Sequence, residues 1–162
     1  RWCEDVLTYD NARLCEVLIR AGVVLDHHAW LKAGLEMLAF YEELVVEDGI
    51  FVPIGNEGWY RRGGARARHG QQPLEAASLV SAALAAHTAT GDAHYQALAQ
   101  VAGDWYFGRN SQRFLMVTNG GCRDGIDASG VSPNMGAEST LAYLMSAIAL
   151  AGERPSELRL AR

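Results

Sequence analysis

Gln71-Gln-Pro-Leu-Glu-Ala-Ala-Ser-Leu-Val-Ser-Ala-Ala-Leu-Ala-Ala-His87 decides how this chain reads. Pro73 stands where a first helical residue needs no N–H, and Glu75 follows where a carboxylate faces free backbone N–H groups. From Ala76 to Ala86 every residue is small or apolar, so the segment offers water no polar stripe. A helix apolar all round is buried all round. The stretch therefore predicts a central helix from Pro73 to about His87.

Helical patterns recur on both sides at one interval. Starts fall near Asp10, Pro73 and Gly136, 63 residues apart each time (73 − 10 and 136 − 73). Ala12, Leu14, Val17, Leu18 and Ala21 give a first helix over 10–21, with Gly22 as its stop. Asp26 is positioned to cap a longer second helix to about Glu47, whose inward stripe reads Trp30, Ala33, Met37, Leu38, Tyr41 and Leu44. After the central helix, Thr90-Gly-Asp92 makes a turn and Asp92 caps a fourth helix with Tyr95, Leu98, Val101, Ala102 and Trp105 inward. A fifth helix covers Ala137 to Ala151, apolar on most faces, and the tail from Gly152 is polar and expected to fray.

Two long segments break the helices. Residues 48–71 hold six glycines and a proline with no helical period, apart from a short extended piece at Ile50-Phe-Val52; residues 108–135 form a second loop. In that loop Phe114-Leu-Met-Val-Thr118 before Asn119-Gly120 reads as half of a β-hairpin. The order is inner helix, short turn, outer helix, long loop, and again. A repeated helical hairpin of this kind predicts an all-α fold, part of an α/α toroid with about five helices in a single domain over 1–162. Because a long loop precedes each inner helix, the loops should gather at the N-terminal ends of those helices.

Composition narrows the function. The chain has 162 residues, a mass of 17.6 kDa, 49% hydrophobic residues and a net charge of −5, which fits one packed domain. Basic residues are scattered except for Arg61, Arg62, Arg66 and Arg68 in one loop, which reads as a solvated or internally paired segment, so nucleic acid is not the expected partner. No apolar run approaches the roughly 20 residues of a membrane span. Cys3, Cys15 and Cys122 are odd in number and lack C-x-x-C spacing, which argues against a disulfide framework or zinc knuckle and for reduced thiols in the cytoplasm. Arg1 falls inside what reads as a motif, so the expectation is a fragment of a longer polypeptide.

The loops carry the chemistry. The first brings Glu4, Asp5, Tyr9, Asp10 and Asn11; the second Asn56, Glu57, Trp59, Tyr60, Gln71, Gln72 and Glu75; the third Asp124, Asp127, Asn134, Glu138 and Ser139. Carboxylates, amides and aromatics in one cleft suit a sugar, whose C–H face lies on a ring while Asp, Asn and Gln hold its hydroxyls. The expected substrate-binding set is Asp5, Tyr9, Asp10, Asn11, Asn56, Trp59, Tyr60, Gln71, Gln72 and Asn134. Several loop residues have a plainer use: Glu75 and Glu138 suit a helix's first turn whatever they do, Asp10 and Asn11 can be caps, and Trp2, Trp59 and Tyr60 can cover the core edge, whereas the loop carboxylates Glu57, Asp124 and Asp5 have no obvious packing work. Glu57 and Asp124 form the first catalytic pair should the domain hydrolyse a glycoside, with Glu75 and Glu138 in reserve. Their separation would then separate inversion (roughly 6.5–9.5 Å) from retention (roughly 5–5.5 Å). His27, His28, His69, His87 and His94 form no ligand spacing, so no metal and no other cofactor is expected.

Several of these runs also resemble a known family. Glu4-Asp-Val-Leu-Thr-Tyr-Asp-Asn-Ala-Arg-Leu14, Pro53-Ile-Gly-Asn-Glu-Gly-Trp-Tyr60, Gln71-Gln-Pro-Leu-Glu-Ala76, Trp105-Tyr-Phe-Gly-Arg-Asn110, Gly120-Gly-Cys-Arg-Asp-Gly125 and Asn134-Met-Gly-Ala-Glu-Ser-Thr-Leu-Ala142 resemble a helical domain found C-terminal to group 1 glycosyltransferases. That domain is similar to the six-hairpin glycosidase superfamily, whose toroids act on carbohydrates, so the resemblance implies part of an (α/α)6-type toroid. The resemblance covers about residues 2–150 and implies a carbohydrate ligand, a cytoplasmic setting, and N-terminal nucleotide-sugar-binding domains elsewhere in the same polypeptide. It carries over no catalytic residue, and five helices are fewer than the twelve of a closed toroid. A different class of reading is a non-catalytic interaction module or homo-oligomer, which should expose an apolar patch on the outer helices.

Overall fold

A computed structural model describes residues 2–152, and the described part is mostly helical. In chain order the elements are β1 (Val6–Leu7), α1 (Asn11–Val24), α2 (His28–Val45), β2 (Val46–Glu47), β3 (Ile50–Phe51), β4 (Tyr60–Arg61), α3 (Pro73–Thr90), α4 (Ala93–Asp104), β5 (Val117–Thr118), β6 (Gly121–Cys122), β7 (Ile126–Asp127), β8 (Gly130–Val131) and α5 (Ala137–Gly152). The polar tail from Glu153 onward lies outside the described residues.

α3 is the hub. It packs against α1 on one side and α5 on the other, while α2 lies on α1 and α4 lies on α3. Twelve of its residues are buried, among them Ala76, Leu79, Val80, Ala82, Ala83 and Ala86, as an all-apolar helix requires. Pro73 opens it and Gly91 closes it in the left-handed conformation at φ 72°, a backbone state open to glycine without a steric cost. The core continues through Ile19, Leu38, Tyr41, Phe51, Leu98, Trp105, Tyr106 and Met116.

Three local expectations are corrected. Gly22 does not stop α1, which runs to Val24; a Cβ there would lie 2.4 Å from the backbone nitrogen of Leu31, so Gly22 lets α1 and α2 approach at their crossing. Asp26 is not the cap of α2. It takes a left-handed conformation in the turn, and His27 caps instead, its Nδ1 accepting from the Trp30 N–H at 3.3 Å. Trp30 does not point inward: it is 42% exposed and stacks on His27, with ring centroids 4.3 Å apart.

The loops are held by four two-stranded pairings. Asn119-Gly120 joins β5 to β6 and Asp48-Gly49 joins β2 to β3, all four turn residues having positive φ, the geometry of a tight hairpin turn. β7 pairs with β8 within the last loop. β1 pairs with β4 across more than fifty residues, Val6 opposite Arg61 and Leu7 opposite Tyr60, which stitches the first loop to the second.

Candidate functional site

The residues that lead into α1, α3 and α5 meet. Glu75, in the first turn of α3, accepts the Asp10 backbone N–H through Oε1 at 2.6 Å and the Asn11 side-chain amide through Oε2 at 3.3 Å. Tyr9 donates its hydroxyl to Glu138, in the first turn of α5, at 3.2 Å. Gln71, just before α3, exchanges backbone hydrogen bonds with Ile126 in the third loop at 3.0 and 2.9 Å. The N-terminal ends of α1, α3 and α5 therefore lie on one rim, and all three loops contribute to it.

Glu75 is the buried centre of that rim. Its residue is 1% exposed, and besides Asp10 and Asn11 it accepts from the Tyr41 hydroxyl of α2 at 3.1 Å. Burial pushes its carboxyl up to about 7, against the pull of those three donors, which favour the ionised form. Burial, and after it the same carboxylate, drives the Tyr41 phenol well above its usual range. Asp10, which Glu75 holds by the backbone, has φ 52°. One of its carboxylate oxygens is buried without a partner, while the other faces Arg13 Nε at 3.4 Å.

A second polar group adjoins the rim at the starts of α3 and α5. Asn56, Gln71, Gln72, Asp124, Asp127 and Ser132 line a cleft of about 120 Å³. Gln71 is fully committed: its amide donates to the Arg68 carbonyl at 2.9 Å and the Ser111 hydroxyl at 2.8 Å, and its Oε1 accepts from the Trp105 indole at 3.2 Å. Asp124 is committed as well. Oδ1 accepts from the Gly136 N–H at 2.6 Å, Oδ2 accepts from the Asn134 amide, and Gly136 directly precedes α5. The Gly136 N–H, with help from Ser139 and Asn134, holds the Asp124 carboxyl below the usual aspartate range. Asp124 is thus a remote cap for α5. Asp124→Ala is expected to cost about 1 kcal/mol at neutral pH, the usual size of a lost cap. Because the folded-state value is depressed, that contribution exists above the unfolded value and vanishes as pH falls through the folded one. Urea unfolding at pH 7 and again in acid checks both parts.

The other sequence-predicted residues are placed as follows. Glu57 is exposed, and among the described residues its carboxylate has no hydrogen-bond partner, although its backbone N–H reaches the His69 carbonyl at 3.4 Å. Asp5 is exposed, its carbonyl accepting from the Arg62 N–H at 3.0 Å. Trp59 and Tyr60 are half-buried, Trp59 with φ 59°. Asn11 is buried between Thr8 and Glu75. Tyr9 is 47% exposed on the rim. The Asp10–Glu75 and Tyr9–Glu138 pairs are brought together directly; Asn56, Gln72 and Asp124 share the cleft; among the described residues no hydrogen bond or shared cleft ties Glu57 to Asp124.

The arginine loop is mostly paired inward. Arg66 and Arg68 both bind Glu47, the latter at 2.8 and 2.7 Å, and Arg62 donates to the Trp2 and Glu4 carbonyls at 2.8 and 3.1 Å. Tyr41 was not among the expected site residues, because on sequence it is one apolar position in a helical stripe. Only its contact with Glu75, 34 residues away, gives it a part in the rim. A larger groove of about 310 Å³ runs between α3 and α5, walled by Ala77, Val80, Leu141 and Met145, with Arg13 and Glu138 also lining it. Among the described residues no group of three or more His, Cys, Asp or Glu is arranged to hold a metal ion.

No protein-family model matches the chain, and no match was found among the curated proteins.

Proposed function

We propose that this chain is a carbohydrate-active α/α-toroid domain, the C-terminal part of a glycosyltransferase-type polypeptide of the cytoplasm, and that it binds a glycan at the N-terminal rim of α1, α3 and α5. The observation that carries the reading is the convergence of three loops, far apart in sequence, on one rim through Asp10–Glu75 and Tyr9–Glu138. Rim aromatics and the amide- and carboxylate-lined cleft beside Gln72 are the chemistry a pyranose ring calls for. Nucleotide-sugar binding would belong to N-terminal domains of the same polypeptide. A glycoside hydrolase using Glu57 and Asp124 is the alternative within the same class. The low Asp124 carboxyl suits a base or nucleophile and not an acid.

The test is thermal unfolding against a panel of neutral and acidic oligosaccharides. At least one should raise the midpoint in a concentration-dependent way, as any ligand of the folded state does. Gln72→Ala and Asp127→Ala should diminish that rise without altering the unliganded midpoint by more than about 2 °C, since neither side chain has a hydrogen-bond partner among the described residues. No rise with any sugar would sink the glycan reading.

One observation favours the interaction module as a second reading. Leu141, Leu144, Met145 and Ile148 form an exposed stripe on α5 at helical spacing, 58%, 42%, 62% and 72% exposed. It lies on α5 and not on α2 and α4, the expected outer helices, where Trp30 is the large hydrophobic exposed among the described residues. Sedimentation of wild type beside Met145→Glu distinguishes the cases: dissociation of an oligomer by that change supports the module.

A further inference from the structure

Three elements share one buried carboxyl group that, among the described residues, has no cation paired with it. Glu75 of α3 takes donors from Asp10 and Asn11 at the start of α1 and from Tyr41 of α2. The charged and titratable groups around it are all otherwise engaged or acidic. Asp10 faces Arg13, Tyr9 is bonded to Glu138, Cys15 lies buried near Tyr41, and Arg66, which also acts on Tyr41, is bound to Glu47 and the Val52 carbonyl. Among the described residues no Lys, Arg or His pairs with Glu75.

We propose that Glu75 is a pH-sensitive clamp: ionised, it fixes Asp10 in its left-handed turn and so seats Tyr9 on Glu138; protonated, it loosens that turn and frees the rim. A hydrogen bond to an ionised acceptor is roughly twice as strong as one to a neutral acceptor, so protonation weakens the Asp10 N–H bond in particular. A non-glycine residue at φ 52° is a state that neighbouring bonds must maintain, and this bond is the one on Asp10's own backbone N–H. Protonated, Oε2–H has an acceptor at hand in the Tyr41 oxygen once that hydroxyl rotates. The carboxyl therefore changes charge without being left orphaned. Its position near neutrality, about 7, places the change where cells operate. The clamp acts on the free protein and stands apart from what the rim binds.

The test is an NMR pH titration of the intact chain between about pH 5.5 and 8.5, reading the Asp10 and Asn11 signals, the Tyr9 ring and the Glu75 side-chain carboxyl carbon. All are expected to move together with one midpoint near 7. In Glu75→Gln the Asp10 and Tyr9 signals should be flat across that window. Tyr41→Phe, which removes one donor to the ionised form, should move the midpoint upward, and it serves if the glutamine variant does not fold. Tyr9→Phe should leave the Asp10 midpoint in place. A Glu75 carboxyl that titrates below about 5 overturns the clamp, as does an Asp10 transition surviving in Glu75→Gln or a midpoint unmoved in Tyr41→Phe.

Discussion

Gly55→Ala is expected to destabilise the protein by more than about 4 kcal/mol, enough to leave it largely unfolded if its stability is ordinary. A Cβ at position 55 would lie 1.7 Å from the His69 carbonyl oxygen, 2.6 Å from its carbon and 2.9 Å from its nitrogen. All three are backbone atoms, so no rotamer change relieves the clash. The strand of loop beyond Gly55 is zipped to the returning chain by Gly55 N–H to Ala67 O, Asn56 N–H to Gly70 O and Ala67 N–H to Trp59 O, at 2.9, 3.1 and 2.9 Å. Moving His69 aside breaks that ladder and displaces Asn56, Trp59 and Tyr60 together. Gly49→Ala is the matching control. Its φ is 72° but nothing lies within 4 Å of the added carbon, so it should cost only about 1 kcal/mol for the backbone conformation. Equilibrium denaturation of the two variants side by side reads the difference.

Trp105→Ala is the second large effect, about 3–5 kcal/mol, the usual range for emptying a buried aromatic site. Trp105 is 0% exposed and meets Tyr106 edge-on with centroids 5.5 Å apart. Its indole N–H is also the donor to Gln71 Oε1, so truncation leaves a buried amide oxygen unsatisfied as well as a cavity. Gln71 carries the backbone pairing with Ile126, which joins the second and third loops. Trp105→Phe, which keeps most of the packing and loses the hydrogen bond, should recover more than half of the loss. A midpoint shift of roughly 10 °C for the alanine variant would match this size for a chain of 162 residues.

Helices were legible in the sequence because their signals are local. Pro73 and the apolar run to Ala86 define α3 without reference to anything else, and Asn119-Gly120 marks its hairpin by the φ values that pair of residues tolerates. The recurrence of a polar loop before every second helix also located the rim. Observed starts at Asn11, Pro73 and Ala137 lie 62 and 64 residues apart (73 − 11 and 137 − 73), against the expected 63. What the sequence withheld is decided by partners distant along the chain. Trp2 is buried because it stacks on Tyr41 at 6.0 Å, which no window around Trp2 contains. Asp124 caps a helix twelve residues later through Gly136, beyond the reach of any cap pattern that counts three or four residues. Trp30 read as core by its period, but it sits in the first turn of α2 beside His27, where stacking at the surface replaces burial.

The central claim is that three loops make one binding surface. Its most direct test is a chemical-shift map of the amide signals recorded while an oligosaccharide that raises the unfolding midpoint is titrated into the protein. The account predicts that Tyr9, Asn56, Gln72, Asp127 and Glu138 shift together with a single dissociation constant, since the three loops share one rim. Shifts confined to one loop, or centred on Leu141, Met145 and Ile148 of α5 with the rim unmoved, would contradict it.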